Sequence, residues 1–60
     1  MNRVRLDLVG LNGNAFALLG AFRSAANTQG FPEEWIKEVV DEAMSGDYDH
    51  LLQTLIAHTD

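Results

Sequence analysis

A chain of 60 residues that contains no cysteine has few means of stabilising a folded state. A domain of this size buries only about 60% of the surface that its unfolded chain exposes, so its core alone confers marginal stability. Natural domains of this length usually add disulfides, a metal ion or a partner subunit. Disulfides and thiolate metal sites are excluded here because both require cysteine. The sequence therefore predicts one small domain, residues 1–60, that associates with another chain.

Charge is divided unevenly along the sequence. Residues 1–30 carry three arginines and one aspartate, whereas residues 31–60 carry one lysine and eight acids, so the total of −5 comes from the second half. The hydrophobic share of 47% is too high for a disordered acidic tail. No run of about 18 apolar residues is present, so no membrane span is predicted. The N-terminal residues do not form a signal-peptide pattern, and we expect a cytoplasmic location.

Residues 3–9 alternate between polar and apolar side chains, which is typical of a half-buried β-strand. Val4, Leu6 and Leu8 lie on one face of this predicted strand. The Asn12-Gly13 dipeptide that follows favours a turn. The N-terminal segment is thus predicted to be the only strand.

Three later segments have apolar residues at helical spacing. The predicted helices cover about residues 14–29, 32–45 and 47–58. Asn14 and Asp47 are predicted N-caps, Gly30 is predicted to end the first helix in a left-handed conformation, and Pro32 suits the first position of the second. The predicted fold class is α+β, mainly α, with one N-terminal strand followed by three short helices.

Two features of the first helix leave alternatives open. Asn12-Gly13 could close a two-residue hairpin, which would make Ala15 to Leu19 a second strand, although the alanine-rich composition favours a helix. Gly20 costs about 1 kcal/mol relative to alanine inside a helix, so we expect another element to pack closely against it. A docking groove for a partner is the alternative use of this small-residue face. With Arg23 as its one charged residue, most of the helix is expected to be buried.

A lone strand leaves unpaired N–H and C=O groups on both edges. We expect the same strand of a second copy to pair with it in an antiparallel, twofold arrangement, which makes the protein a homodimer. A twofold axis at Leu6 places Arg5 opposite Asp7 and Val4 opposite Leu8, and opposite charges across a strand pair are stabilising. The predicted dimer interface consists of Val4, Arg5, Leu6, Asp7 and Leu8. The alternative is a strand that pairs with a loop or frays.

No motif identifies a cofactor, a metal ion or a catalytic group. The run from Asp47 to His50 contains metal-ligating residue types, but Leu51 and Leu52 stand where an EF-hand loop would need ligands. We interpret Asp47 as a helix cap instead. No nucleophile, base and orienting group form a recognisable signature. We therefore expect no enzymatic activity and no cofactor.

The exposed face of the second helix is acidic and is the predicted partner-binding surface. Its carboxylates belong to Glu34, Glu38, Asp41 and Glu42. A helix with this charge would repel DNA phosphates, so nucleic acid is not expected to bind it. The function predicted from these features is a non-enzymatic protein-interaction or regulatory module with an unknown protein partner. The alternative is a small nucleic-acid-associated protein that uses a dimeric basic β-ribbon containing Arg3 and Arg5.

Two segments of the chain resemble a family of small uncharacterised proteins of bacterial and bacteriophage genomes. The first is Gly10-Leu11-Asn12-Gly13-Asn14-Ala15-Phe16, and the second is Ala43-Met44-Ser45-Gly46-Asp47-Tyr48-Asp49-His50-Leu51-Leu52. The resemblance spans roughly residues 4–56, as expected for one domain. It implies a prokaryotic or viral, intracellular origin, and it assigns no catalytic or binding residues.

Overall fold

The structure, a computed structural model, describes residues 3–60. Within this range the chain forms three helices, α1 (Ala15–Thr28), α2 (Glu33–Ala43) and α3 (Tyr48–Ala57). Each helix begins one residue after its predicted start. Asn14 and Asp47 take their predicted cap positions, whereas Pro32, which was predicted at the first helical position of α2, is instead its N-cap residue. The apolar spacing of the sequence therefore predicted the helical segments correctly.

Local hydrogen bonds explain where the helices begin and end. The Asn14 side chain accepts from the Phe16 N–H at 2.9 Å, and the Asp47 side chain accepts from the His50 N–H at 2.9 Å, so both predicted N-caps are confirmed. After α1, Gly30 adopts a φ of +88°. The Gly30 N–H donates to the Asn27 carbonyl at 3.1 Å, and the next N–H, that of Phe31, donates to Ala26 at 3.0 Å. This pair of bonds is a Schellman motif.

Side chains from every helix and from the N-terminal segment form one hydrophobic core. Its buried members are Val4, Leu18, Leu19, Phe22, Ala26, Ile36, Val39, Val40, Ala43, Leu51 and Leu55. Trp35 packs beside this core, with its ring centroid 6.1 Å from that of Phe22 and 4.7 Å from that of Phe31. The aromatic cluster joins α1 to α2 across the turn between them.

The predicted strand at residues 3–9 is wrong. Among the described residues, Val4 forms only an isolated parallel bridge with Thr59. The Val4 N–H donates to the His58 carbonyl at 2.8 Å, and the Asp60 N–H donates to the Val4 carbonyl at 3.0 Å. We refer to residues 3–9 as the strap. At Val4 the strap lies along the end of the chain after α3.

At Arg5, the next residue of the strap, the side-chain amide of Gln29 makes the hydrogen bonds that a neighbouring strand would make. The Arg5 N–H donates to the Gln29 Oε1 atom at 2.9 Å, and the Gln29 Nε2 atom donates to the Arg5 carbonyl at 2.8 Å. Val4 is buried and Leu6 is half-buried while Arg5 is exposed, so the alternating pattern did identify an extended, half-buried segment. It could not tell such a segment from a strand, because both have the same side-chain period.

The homodimer stays a prediction, but it loses the strand on which it was based. The prediction that Val4, Arg5, Leu6, Asp7 and Leu8 form a dimer interface rested on unpaired backbone groups, and those of Val4 and Arg5 are bonded within the chain. Instead of an α+β fold, the described residues form a small three-helix fold without strand pairing. The strand from which a basic ribbon containing Arg3 and Arg5 would be built is therefore absent from the described residues. The Arg3 Nη1 atom instead donates to the Thr59 carbonyl at 3.0 Å.

The three other expectations for α1 are also settled. Residues 15–19 are helical, so the alternative hairpin is wrong. Gly20 is exposed, and a Cβ atom placed there would have no neighbour within 4 Å, so the close approach expected at this glycine is wrong as well. The expectation that most of α1 is buried is wrong too, because its buried residues are only Leu18, Leu19, Phe22 and Ala26. Buried positions occupy one side of the helix, and Ala17, Gly20 and Ser24 are exposed.

The open space at Gly20 leads to a stability prediction. Gly20→Ala is expected to raise the free energy of unfolding by about 1 kcal/mol, because alanine has the higher helix propensity and meets no steric obstacle. Gly30→Ala is the control, and it is expected to lower stability by about 1–2 kcal/mol because its φ is positive. Urea unfolding followed by circular dichroism measures both. Destabilisation by Gly20→Ala would show that another element contacts this face of α1.

Candidate partner-binding groove

An open cavity of about 240 Å³ lies where the start of α1, the end of α2 and the start of α3 meet. The residues that line it are Ala15, Phe16, Leu19, Ala43, Met44, Gly46, Asp47, Tyr48 and Leu51. Leu19, Ala43 and Leu51 belong to the buried core, so the floor of the cavity is apolar. We refer to this cavity and its lining residues as the groove.

Three large side chains on the rim of the groove are exposed to solvent. Phe16 is 77% exposed, Met44 is 56% exposed and Tyr48 is 46% exposed. They come from α1, the end of α2 and α3 respectively, so the helix packing brings them together from distant parts of the sequence. Apolar side chains around a concave apolar floor make a surface that favours burial against another molecule.

Tyr48 is held in place by a contact to the other side of the groove. Its hydroxyl donates to the carbonyl of Gly13 in the loop before α1. Asp47 caps α3, which places Tyr48 at the first helical position and fixes the direction of its side chain. Val9 and Leu11, which precede Gly13 in the same loop, are also exposed apolar side chains.

The turn between α2 and α3 forms a compact wall beside the groove. The His50 Nε2 atom lies 2.9 Å from the Glu42 carbonyl oxygen and 3.1 Å from the Glu42 carboxylate, and both oxygens are acceptors for a ring N–H. The Ser45 hydroxyl donates to the same carbonyl at 2.7 Å. Gly46 packs so closely that a Cβ atom there would lie 2.9 Å from the His50 Cβ and Cγ atoms.

Ser45, His50 and Glu42 are residue types found in hydrolase triads, but their arrangement differs from one. In a triad, the nucleophile and the acid bond opposite nitrogens of the histidine. Here the Ser45 Oγ atom, at 3.3 Å, and the Glu42 carboxylate, at 3.1 Å, both lie at Nε2. The Ser45 proton is directed to a backbone carbonyl, so the cluster caps the end of α2 and does not activate the serine.

The residues of the predicted acidic face lie at different distances from the groove. All its members are exposed on α2: Glu34, Glu38, Asp41 and Glu42. Asp41 lies three residues before Met44, on an adjacent part of the helix surface, and pairs with Lys37 at 3.2 Å. Glu34 lies about 15 Å from Met44 along the helix axis, at 1.5 Å per residue. Only the C-terminal part of this face therefore borders the groove.

The groove itself was not predicted from the sequence. Phe16, Met44 and Tyr48 fit the apolar spacing of their helices, which predicts that they face the core. No local signal separates them from the residues that are buried, because the same spacing marks both. Among residues 3–60, no group of three or more His, Cys, Asp or Glu is arranged to hold a metal ion.

In the described part of the chain, no helix has the length and apolar character needed to cross a lipid bilayer. The chain matches no model of a known protein family, no curated protein and no solved structure.

Proposed function

We propose that this protein is a non-enzymatic protein-interaction module whose groove receives an apolar side chain of a partner protein. The observation that supports this proposal is the exposure of Phe16, Met44 and Tyr48 around one apolar cavity. Single exposed apolar residues are ordinary on protein surfaces, whereas contiguous apolar patches mark interaction sites. The proposed role is regulatory, through occupation of a surface on the partner.

The size of the cavity favours a protein segment over a small-molecule ligand. Sites for drug-sized ligands usually have about 300–1,000 Å³. The groove has about 240 Å³ and is open, which suits one large side chain inserted from a partner surface. Such anchor side chains contribute most of the binding free energy in many protein interfaces.

The proposed setting is the cytoplasm of a bacterium or of a bacteriophage-infected cell. This part of the proposal rests on the resemblance of the Gly10–Phe16 and Ala43–Leu52 segments to small proteins of such genomes. The partner would be a host or viral protein. The nucleic-acid alternative is not proposed, because it required a basic strand at residues 3–9, and only an isolated bridge at Val4 is found there.

Selection of peptides from a random display library tests the proposed function. We expect the selected peptides to share one large apolar residue and to bind the wild-type protein. The Phe16→Ala/Met44→Ala variant is expected to bind them at least tenfold more weakly, because loss of an anchor contact costs more than about 1 kcal/mol. Titration by fluorescence anisotropy with a labelled peptide gives the dissociation constants.

Ile56→Ala is the matched control for the groove variant. Ile56 is 52% exposed on α3 and does not line the groove, so its replacement removes a comparable exposed apolar side chain elsewhere. We expect it to change the affinity by less than about twofold, as surface substitutions outside a contact usually have small effects. Equal binding by the groove variant and this control would contradict the proposed function.

A further inference from the structure

We propose that the partner segment in the groove is basic, with an apolar anchor residue flanked by lysine or arginine. This inference rests on the proposed function and adds the chemistry of the partner. It follows from the charges that surround the groove, which complement a cationic segment and repel an anionic one.

Carboxylates border the groove on the α3 side. Asp47 is the charged residue among those that line it, and Asp49 lies in the first turn of α3 beside Tyr48. On the α2 side, Asp41 is exposed next to Met44, but it pairs with Lys37 at 3.2 Å, so the two charges largely cancel. A segment seated on Met44 and Tyr48 would therefore have the carboxylates of Asp47 and Asp49 within reach.

Cations are sparse near the groove residues along the sequence. No lysine or arginine occurs within four residues of Phe16, Met44 or Tyr48. Lys37 lies seven residues before Met44, and its charge is balanced by that of Asp41 at 3.2 Å. Arg23 lies seven residues after Phe16, about 10 Å along α1 at 1.5 Å per residue.

The helix termini at the groove do not reverse this balance. The N-termini of α1 and α3 each carry about half a positive charge from the helix dipole. Asp47 and Asp49 place two full negative charges at the start of α3, which exceed that contribution. The local charge around the groove is therefore negative.

A second copy of the chain is the less favourable occupant. Each copy carries a formal charge of −5, and two copies joined groove to groove would bring Asp47 and Asp49 close to their own equivalents. Like charges brought together at an interface are destabilising. A basic segment gains from the same carboxylates, so charge selects it over self-association.

Three synthetic peptides with the same leucine anchor test the inference. Their flanking positions carry lysine and arginine in the first, serine and glutamine in the second, and glutamate in the third. At low ionic strength we expect the basic peptide to bind about tenfold more tightly than the neutral one, from a few rim charge pairs. The difference in affinity between the basic and neutral peptides should become smaller at about 0.5 M salt, where surface charges are screened. The acidic peptide should bind most weakly.

Two double variants test whether the preference for the basic peptide arises from charges at the groove. Asp47→Asn/Asp49→Asn, in which asparagine retains the cap of α3, is expected to weaken binding of the basic peptide about fivefold and to change binding of the neutral peptide by less than about twofold. Glu33→Gln/Glu34→Gln removes the same two charges from the far end of α2, where both acids are exposed, and should change either affinity by less than about twofold. Thermal unfolding of each variant verifies that it is folded.

The outcomes separate this inference from the function on which it rests. Equal affinity for basic and neutral peptides, together with weaker binding of both by Phe16→Ala/Met44→Ala, would overturn the basic partner and leave the groove as a binding site. Failure of all three peptides to bind would overturn the proposed function itself. A dimer in sedimentation at micromolar concentration that is lost in the same groove variant would identify a second copy as the occupant.

Discussion

Phe22→Ala is expected to remove most or all of the stability of this protein, whereas Phe16→Ala is expected to leave it almost unchanged. Phe22 is completely buried and packs against Trp35, with 6.1 Å between ring centroids. Truncation of a buried phenylalanine to alanine costs about 3–5 kcal/mol. A domain of this length has a total stability of roughly 3–9 kcal/mol, at about 0.05–0.15 kcal/mol per residue. Urea unfolding monitored by Trp35 fluorescence and circular dichroism measures the loss.

Phe16→Ala is the control with identical chemistry and opposite exposure. It should change the free energy of unfolding by less than about 0.5 kcal/mol, as for other surface substitutions. The pair of variants therefore separates stability from binding, since Phe16 is assigned to the groove and Phe22 to the core. A loss of several kcal/mol in Phe16→Ala would show that this ring is buried in solution, and the groove would then lack its rim.

Val4→Ala is expected to lower the free energy of unfolding by about 2 kcal/mol, from the lost burial of two methyl-sized groups and the cavity left behind. The effect is large for a strap residue because the Val4 side chain is 0% exposed. Val9→Ala, at a side chain that is 87% exposed, makes the same chemical change and should have almost no effect. Urea unfolding of the two variants provides the comparison.

Hydrogen exchange tests the attachment of the strap directly. The N–H groups of Val4 and Asp60 are both donors in the bridge between the strap and the end of the chain, so both should be protected in the wild-type protein. Val4→Ala should reduce the protection of the Asp60 amide as the bridge opens more often. Equal stabilities of Val4→Ala and Val9→Ala would show that the strap is not part of the core.

The helices were predictable because the interactions that define them are local. Apolar residues three and four positions apart mark one side of each helix, and the caps at Asn14 and Asp47 join residues two and three positions apart. The Schellman motif at Gly30 is equally local. A single stretch of sequence contains everything that such an element needs.

The strap was mistaken for a strand because its hydrogen-bond partners are distant in sequence. An extended segment shows the same alternation whether a strand, a chain terminus or a side chain satisfies its backbone. Gln29 lies 24 residues from Arg5, and nothing near either residue indicates that the amide and the backbone meet. The dimer was a logical consequence of that error, since unpaired edges require a partner.

The groove was missed for a related physical reason. Phe16, Met44 and Tyr48 occupy positions at which helical spacing predicts apolar residues. That spacing does not show which part of the apolar face another helix will bury. The acidic face of α2 stays a prediction as a binding surface. Its members are exposed, with Asp41 near Met44 and Glu34 at the other end of α2.

The sequence by itself determined the helical segments, their caps, the acidity of the second half and the absence of disulfides. These properties depend on residue identity and on interactions within a turn or two of the chain. Only the tertiary structure decided that the N-terminal segment is a strap and that three apolar side chains remain exposed around one cavity. Both depend on packing between residues far apart in sequence, where many arrangements satisfy the same local pattern and the geometry of the assembled core selects one.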